Sequence, residues 1–315
     1  MKKTIKYFLA ILLPAALLMA SCKKEATLAP TDFPEPYPMT QGSNAADLFR
    51  YNFFNRYQTK ILFDFAKKDY WYAMNNTATL KDSIDYFRYV TDTAQQRKAV
   101  EFLNAQWLLF YPQAFKQTYL SQYIFAVDRL FDYPSTSTTA NPDSTKYFKT
   151  NGFSNMLVTG LGNRFATMTN TEKTTLRNEL HHGFLYDWIY LRNKEFFPPE
   201  FYAVSQLKYG VNPRDSTSTV YNDYLNNGFL PPVSATYPGY NTKTRYQNQD
   251  EDVNQFLWFI ITKDDAAVNS IINNTYGAKV KQKYLLLLSY FSGLGIDIRS
   301  INTYDVSVMG PLDQY

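Results

Sequence analysis

The side chains with the clearest chemical potential form a pentapeptide, Asn178-Glu179-Leu180-His181-His182. It differs at its first position from His-Glu-x-x-His, in which two histidines one helical turn apart hold a zinc ion and the glutamate acts as general base. Glu179 and His182 match that pattern, whereas Asn178 stands at the first ligand position. The pentapeptide therefore predicts a hydrolase-type site, a degenerate HExxH motif, that lacks one metal ligand.

A helix must carry the pentapeptide if its polar side chains are to share one face. Residues 169–172 (Thr-Asn-Thr-Glu) fit a capping box, which places the start of the helix there. Leu176, Leu180 and Phe184 then recur every four residues and give the helix an apolar face. We expect the helix to continue to about Leu191, with the polar residues of the pentapeptide beside the apolar face.

The rest of the sequence predicts a helix-rich α+β fold with a small sheet. Residues 155–161 are apolar and small, and they predict a strand shortly before the helix that carries the pentapeptide. A strand followed by a capped helix is the context that a zincin-type site needs. Further strands are predicted over 57–65 and 123–130, helices over 95–110, from 250 onward and over 278–291, and loops over 134–146 and 207–250.

Two of these helices carry additional expectations. Asp250, Glu251 and Asp252 open the helix that begins near residue 250, and acidic side chains in a first turn favour the positive end of the helix dipole. Metal ligation is the alternative interpretation of this triplet. In the last helix, the run Tyr-Leu-Leu-Leu-Leu over 284–288 predicts burial nearly all round.

The first residues of the chain have the pattern of a lipoprotein signal. Lys2, Lys3 and Lys6 precede an apolar run over 8–19, which is shorter than the roughly 20 residues that span a bilayer. Small residues then precede Cys22, which predicts a signal peptide over 1–21 and lipidation of Cys22. The alternative is an ordinary secretory signal with an incidental cysteine. We expect an outer-membrane-anchored lipoprotein of the cell envelope.

Composition limits the remaining possibilities. Residues 22–45 contain four prolines together with Thr, Ser and Gly and predict a flexible tether, and residues 46–315 predict one folded domain. Cys22 is the only cysteine, so no disulfide can form within the chain and a packed core must hold the domain together. The net charge is +4, and no basic face is concentrated in the sequence. Nucleic acid is therefore excluded as an expected partner.

Eight segments carry a resemblance to a known family. They are residues 57–63, 110–115, 157–160, 168–173, 178–185, 196–201, 251–256 and 295–297. Their order and spacing resemble the zinc-binding metallopeptidase family of Bacteroidota-type lipoproteins, also described as substrate import-associated zinc metallohydrolase lipoproteins. The resemblance implies a zincin-like metallopeptidase scaffold, zinc as cofactor, and SusC- and SusD-like outer-membrane uptake proteins as partners.

The departures from the family pattern fall on functional positions. Asn178 and Leu185 stand where the family has histidines, and Gln255 stands where it has the second glutamate of an acidic segment. What the resemblance leaves in place is Glu179, the general base if the site is active, and a reduced set of metal ligands. These losses predict a catalytically impaired relative, a pseudoenzyme.

The reduced ligand set consists of His182 with Glu251 or Asp252. Catalytic zinc usually has three protein ligands and a water, and the amide oxygen of Asn178 is a poor substitute for imidazole. His181 cannot replace the missing ligand, because neighbours on a helix point about 100° apart. The chain has two histidines in all, so no distant histidine fills the position. We expect zinc binding to be weak or absent.

Two functions of different class follow. The first is a binding or accessory lipoprotein that serves nutrient uptake and takes a peptide or glycan ligand. Aromatic clusters in or near predicted loops, at 70–72 and 237–240, favour it because exposed Tyr and Trp stack on sugars and contact peptides. The second is an active zinc-dependent hydrolase, a peptidase by resemblance, with an atypical metal site.

Overall fold

The structure is a computed structural model that describes residues 35–71, 86–132, 141–142, 146–151, 154–211, 220–231 and 246–312. The chain divides into two compact units, residues 1–38 and 39–315, and the second contains all the helices and strands described here. The predicted signal peptide and Cys22 lie outside the described residues, so their assignment stays a prediction. In the described part, no helix has the length and apolar character needed to cross a membrane.

The α-helices of the described residues are numbered in chain order. They are α1 (Ala45–Tyr57), α2 (Lys67–Trp71), α3 (Thr93–Gln106), α4 (Gln113–Tyr119), α5 (Asn163–Thr167), α6 (Asn170–His182), α7 (Pro199–Ala203), α8 (Val220–Asn226), α9 (Gln249–Thr262), α10 (Asp265–Ile272), α11 (Ala278–Gly293) and α12 (Ser300–Thr303). A π-helix, Gly183–Tyr190, continues α6, and short 3-10 helices cover Leu108–Phe110 and Lys194–Phe196.

One small mixed sheet accompanies the helices. Its strands are β1 (Lys60–Leu62), β2 (Phe87–Tyr89), β3 (Tyr123–Asp132), β4 (Asn141–Pro142), β5 (Phe148–Asn151) and β6 (Asn155–Val158). Strands β1, β3 and β6 are parallel, and β5 closes this part of the sheet as an antiparallel neighbour of β6. The far end of β3 pairs with β2 and β4. Helix-rich α+β architecture is therefore confirmed.

Strands β1 and β6 are buried along their whole length. Ile61 aligns with Ile124, which aligns with Met156 in the next strand, and all three side chains are fully buried. Strands buried on both faces read as continuous apolar runs rather than as alternating ones. The strand predicted over 123–130 is confirmed as β3. The other two predicted strands exist but are shorter: β6 ends at Val158, and β1 covers Lys60–Leu62, where its start is limited by α1, which extends to Tyr57.

The capping box at the start of α6 is confirmed. The Thr169 hydroxyl oxygen accepts a hydrogen bond from the Glu172 backbone N–H at 3.2 Å, and the Glu172 carboxylate accepts one from the Thr169 N–H at 2.8 Å. These bonds satisfy donors that the first turn of a helix leaves unpaired. The helix then turns into a π-helix at Gly183, where a Cβ atom would lie 2.2 Å from the Phe148 ring. Glycine at this position lets the helix approach β5 closely.

Helix α9 begins at Gln249, as the acidic triplet predicts, with Asn248 and Glu251 forming a second capping box. In α11 the expected burial all round is wrong: Leu285 is 51% exposed, whereas Lys283 is fully buried. The buried face follows the helical period through Val280, Tyr284 and Leu287. Consecutive leucines point in different directions around the helix, so part of the leucine run is exposed to solvent.

The loop predicted over 207–250 contains a helix, α8, which its polar composition conceals. Tyr224 on this helix is fully buried and packs with Phe229 and Tyr246 in a small cluster of its own. Most of the loop predicted over 134–146 lies outside the described residues, and within it Asn141–Pro142 pairs with β3. The structure describes Tyr70 from the 70–72 cluster, and its side chain is buried against Phe87 rather than presented to a ligand.

Candidate functional site

The candidate site lies between α6 and α9, which pack against each other. The Nε2 atom of His182 is 3.0 Å from the Oδ1 atom of Asn254. Because an amide oxygen accepts, the imidazole donates from Nε2, the nitrogen that would otherwise face a metal. Trp258, one turn further along α9, contacts His182 edge-to-face with the ring centres 5.0 Å apart, and Tyr186 stacks on His182 with the ring centres 5.4 Å apart. The imidazole is thus held by an amide and two aromatic rings.

A pocket of about 110 Å³ opens beside this imidazole. Its walls combine carboxyl groups, an amide, a lysine and aromatic rings: Lys146, Phe148, Glu179, His182, Asp187, Asn254 and Trp258. Four elements contribute to it: Glu179 comes from α6, Asp187 from the π-helix, Asn254 from α9 and Phe148 from β5. The volume suits a group the size of one side chain rather than an extended substrate.

Glu179 faces this pocket and is held by the backbone. The Tyr147 N–H donates to its Oε2 atom at 2.5 Å. Burial raises the pKa of the Glu179 carboxyl to about 7, with a smaller raising contribution from Asp187, while the Tyr147 N–H, Lys146 and Arg164 oppose the shift. A carboxyl with a pKa near neutrality can exchange a proton at physiological pH.

Asp187 is the second acidic group in the pocket. Burial raises the pKa of its carboxyl, and the positive charges of Lys146 and Arg192 partly oppose this. The same burial acts in the opposite direction on His182, lowering the pKa of its imidazole to about 4. At neutral pH the imidazole is therefore uncharged, and the charges of the pocket come from its two carboxyl groups and Lys146.

His181 points away from the pocket, as expected of neighbours on a helix. Its Nε2 atom lies 2.8 Å from the Gln106 carbonyl oxygen and its Nδ1 atom 2.8 Å from the Tyr111 hydroxyl. A carbonyl can only accept, so Nε2 carries the proton and Nδ1 accepts from Tyr111. The imidazole is fully buried, and burial lowers its pKa to about 3. His181 is a neutral core residue.

Asn178 is held by its neighbour and does not line the pocket. Its Oδ1 atom accepts hydrogen bonds from Nε and Nη2 of Arg177, each at 3.2 Å. The third arm of that guanidinium donates to the Tyr304 carbonyl oxygen at 2.6 Å. Arg177 is 1% exposed, so its positive charge is buried beside the position where the motif would place the first metal ligand.

The two acidic candidates on α9 have other partners. The Glu251 carboxylate accepts from the Asn248 backbone N–H at 2.8 Å and so caps the helix. The Asp252 Oδ2 atom lies 2.6 Å from Lys283 Nζ and 2.6 Å from the Tyr209 hydroxyl, in a buried ion pair. Neither residue lines the pocket with His182. The geometry thus does not assemble the predicted set of His182 with Glu251 or Asp252.

The side chains at the other two departures from the family pattern, Leu185 and Gln255, also have partners outside the pocket. Leu185 is fully buried in the apolar core, and the Gln255 side chain accepts from Gln247 Nε2 at 2.8 Å. Across the described ranges, no group of three His, Cys, Asp or Glu side chains is placed to hold a metal ion. The donor set therefore does not fit a three-ligand zinc centre, and we derive no reaction step through a metal.

Sequence reasoning missed five residues of the pocket: Lys146, Phe148, Asp187, Asn254 and Trp258. A signal for two of them was present, because Asn254 and Trp258 are four residues apart and share a face of the helix that the acidic triplet opens. The prediction for this helix considered only its acidic side chains as ligands and therefore left out the face that carries Asn254 and Trp258. Nothing local marks Lys146 or Asp187, which reach the pocket through the packing of β5 and the π-helix.

The fold and pocket define a helix-rich α+β domain with a candidate ligand site between α6 and α9. No family model and no curated protein matches the chain. Among solved structures, the chain is similar to one described as a "putative zinc-binding metallo-peptidase" from Bacteroides caccae ATCC 43185, with a TM-score of 0.50 and 12% identity, over 86% of this chain and 94% of that one. At this identity the likeness concerns the fold alone.

Proposed function

We propose that this chain is a cell-envelope lipoprotein of the substrate import-associated zinc metallohydrolase type that is catalytically impaired and serves a binding or accessory role in outer-membrane nutrient uptake. The observation that carries the proposal is the state of Asn178, whose amide oxygen is occupied by the buried guanidinium of Arg177. An amide stands where zinc needs an imidazole. The only atom of that amide that could bind a metal, the oxygen, instead accepts hydrogen bonds from Arg177.

Charge strengthens the argument for impairment. The Arg177 guanidinium is buried with hydrogen bonds to Asn178 and to the Tyr304 carbonyl oxygen. A fixed positive charge in a site of low dielectric constant repels a dication nearby. His182 offers the remaining imidazole, and its Nε2 atom donates to Asn254 instead of facing a metal. Without a bound metal there is no activated water for Glu179 to deprotonate.

The envelope location and the partners rest on sequence. The lysine-rich start, the apolar run and Cys22 favour a lipid anchor in the outer membrane, and the resemblance to import-associated lipoproteins favours SusC- and SusD-like partners. The ligand we propose is a peptide or a glycan. The likeness of fold to a described metallopeptidase supports the zincin-like scaffold on which this role is based.

Zinc stoichiometry tests the proposal directly. The full chain, purified in detergent, is equilibrated with micromolar zinc and analysed by elemental mass spectrometry, beside His182→Ala. We expect substoichiometric zinc in both proteins and no difference between them. One zinc per chain that disappears in His182→Ala would overturn the proposal.

A second candidate function is an active zinc-dependent hydrolase with an atypical metal site. The observation that favours it is Glu179, which lines the pocket with a pKa of about 7, within the range in which a general base works. This candidate predicts peptide cleavage that depends on added zinc and is lost in Glu179→Gln. Cleavage that survives this substitution would point to a contaminating protease.

A further inference from the structure

The pocket beside His182 has more negative than positive charge to offer a ligand. Glu179 and Asp187 contribute carboxyl groups from successive parts of one helical segment, whereas Lys146 contributes one ammonium from an exposed position. Within the described ranges, neither carboxyl group has a cation at ion-pair distance. The Tyr147 N–H donates to one oxygen atom of Glu179, and neither carboxyl group is neutralised by a cation, so both retain the capacity to accept from a positively charged donor.

Aromatic rings complete the walls of the pocket. Trp258 and Phe148 lie on its lining, and Trp258 is the kind of side chain that attracts a cation most strongly to its face. The Asn254 amide adds a further polar group between them. Carboxylates combined with an indole favour an organic cation over an anion, which the carboxylates repel, and over a purely apolar group, which would leave them desolvated.

The same chain shows how its side chains hold an ammonium elsewhere. Lys283 Nζ is fully buried, bonded to the Asp252 carboxylate at 2.6 Å, and lies 4.8 Å from the ring centres of both Phe201 and Phe229. One carboxylate, a tyrosine hydroxyl at 3.4 Å and aromatic faces therefore retain a desolvated alkylammonium in this fold. The pocket beside His182 presents the same chemistry, open to solvent, with two carboxyl groups in place of one.

We propose that this pocket binds a primary alkylammonium group, from a lysine side chain or from the amino terminus of a peptide, between the carboxylates of Glu179 and Asp187 and the ring of Trp258. The proposal rests on the proposed function, because it makes a peptide the ligand of the non-catalytic pocket. The volume of about 110 Å³ fits the terminal part of one side chain. Lys146 then acts as a competing cation at the rim.

Calorimetric titration of the full chain in detergent, without added zinc, tests the proposal. The probes are Nα-acetyl-lysine amide and glycyl-glycinamide, which separate a lysine side chain from a chain terminus. Their neutral counterparts are Nα-acetyl-norleucine amide and N-acetyl-glycyl-glycinamide. We expect saturable binding of at least one ammonium probe with a Kd of about 1 mM or tighter, and at least about tenfold weaker binding of its neutral counterpart.

Three variants assign that binding to the pocket. Asp187→Asn should weaken it about tenfold, because an ammonium loses one charged acceptor. Lys146→Met should strengthen it, because the competing cation is removed. Asp64→Asn changes the net charge by the same amount as Asp187→Asn at an exposed position that does not line the pocket, and it should leave the Kd unchanged. Circular dichroism spectra verify that each variant is folded.

Three results would overturn the proposal. One is binding of the neutral counterparts as tightly as the ammonium probes, and another is no saturable binding of either ammonium probe at about 10 mM. Competition by a neutral monosaccharide with equal affinity would assign the pocket to a glycan instead, and so counts against an ammonium. The zinc content of the same preparation is measured separately, so failure of this proposal is distinguished from failure of the non-catalytic function.

Discussion

At the scale of single residues, whether a side chain can serve as a metal ligand depends on the partner that packing gives it. Asn178 has an amide oxygen, but that oxygen accepts hydrogen bonds from the neighbouring Arg177. Asp252 has a carboxylate, but it is bound by Lys283 and Tyr209. The residue types could be read from the sequence and the pairings could not, since Lys283 lies 31 positions from Asp252 and adjacency alone does not predict that Arg177 and Asn178 are hydrogen-bonded. Residue identity predicted which atoms are present, and packing decided what they bind.

The buried pair of Lys283 and Asp252 gives a prediction at this scale. Both side chains are at most 1% exposed, so Lys283→Met leaves the Asp252 carboxylate buried without its cation. We expect this variant to lose about 3–5 kcal/mol of unfolding free energy, measured by urea denaturation. Adding Asp252→Asn to it should recover part of the loss, because the unpaired charge is removed. Equal stability of the single and double variants would contradict this account.

At the scale of elements, helix starts and buried strands could be predicted from the sequence because their signals are local. The capping boxes at Thr169 and Asn248 and the apolar runs of β3 and β6 each lie within a few residues. Helix α8 escaped prediction because its burial depends on Phe229 and Tyr246, outside the helix. The pocket could not be predicted from the sequence either, because its lining residues come from elements that are distant in the chain, the π-helix, β5 and α9.

The junction between α6 and the π-helix gives a prediction at this scale. Gly183→Ala would place a Cβ atom 2.2 Å from the Phe148 ring, so the helix or the strand must move. We expect a loss of about 1–3 kcal/mol in unfolding free energy, measured by urea denaturation. Gly293→Ala is the matched control, because it also lies in a helix and no atom is within 4 Å of its added Cβ.

The control should gain up to about 1 kcal/mol, since alanine favours a helix over glycine by that amount. If the unfolding free energy falls in Gly183→Ala and rises in Gly293→Ala, the requirement for glycine at position 183 comes from the contact with Phe148 rather than from helix propensity. A neutral Gly183→Ala variant would instead indicate that β5 yields at little cost.

At the scale of the whole molecule, burial of titratable groups makes folding depend on pH in a way that neither the composition nor the net charge reveals. His181 and His182 are held neutral, with pKa values lowered to about 3 and about 4, whereas the pKa of Glu179 is raised to about 7. Both shifts arise mainly from desolvation of the charged form. They act on stability with opposite signs, because protonation charges a histidine and neutralises a glutamate.

The histidines lower stability as pH falls. Between pH 6.5 and the folded-state pKa values, the unfolded chain binds more protons than the folded one, so the unfolding free energy decreases on acidification. His182→Gln keeps a donor for Asn254 and removes one titrating group. We expect the slope of unfolding free energy against pH, between about 4 and 6.5, to become shallower by at most about 1.4 kcal/mol per pH unit.

Glu179 works in the other direction over a neighbouring window. Its folded-state pKa of about 7 lies above the ordinary value of 4.5, so the folded chain binds the extra proton and stability falls as pH rises between these values. Glu179→Gln removes this opposing contribution and should steepen the rise in unfolding free energy with pH between about 4.5 and 6.5. Urea denaturation at half-unit pH steps measures both slopes. If Glu179→Gln and His182→Gln shifted the slope in the same direction, the assignment of opposite protonation behaviour to these two residues of one pocket would be wrong.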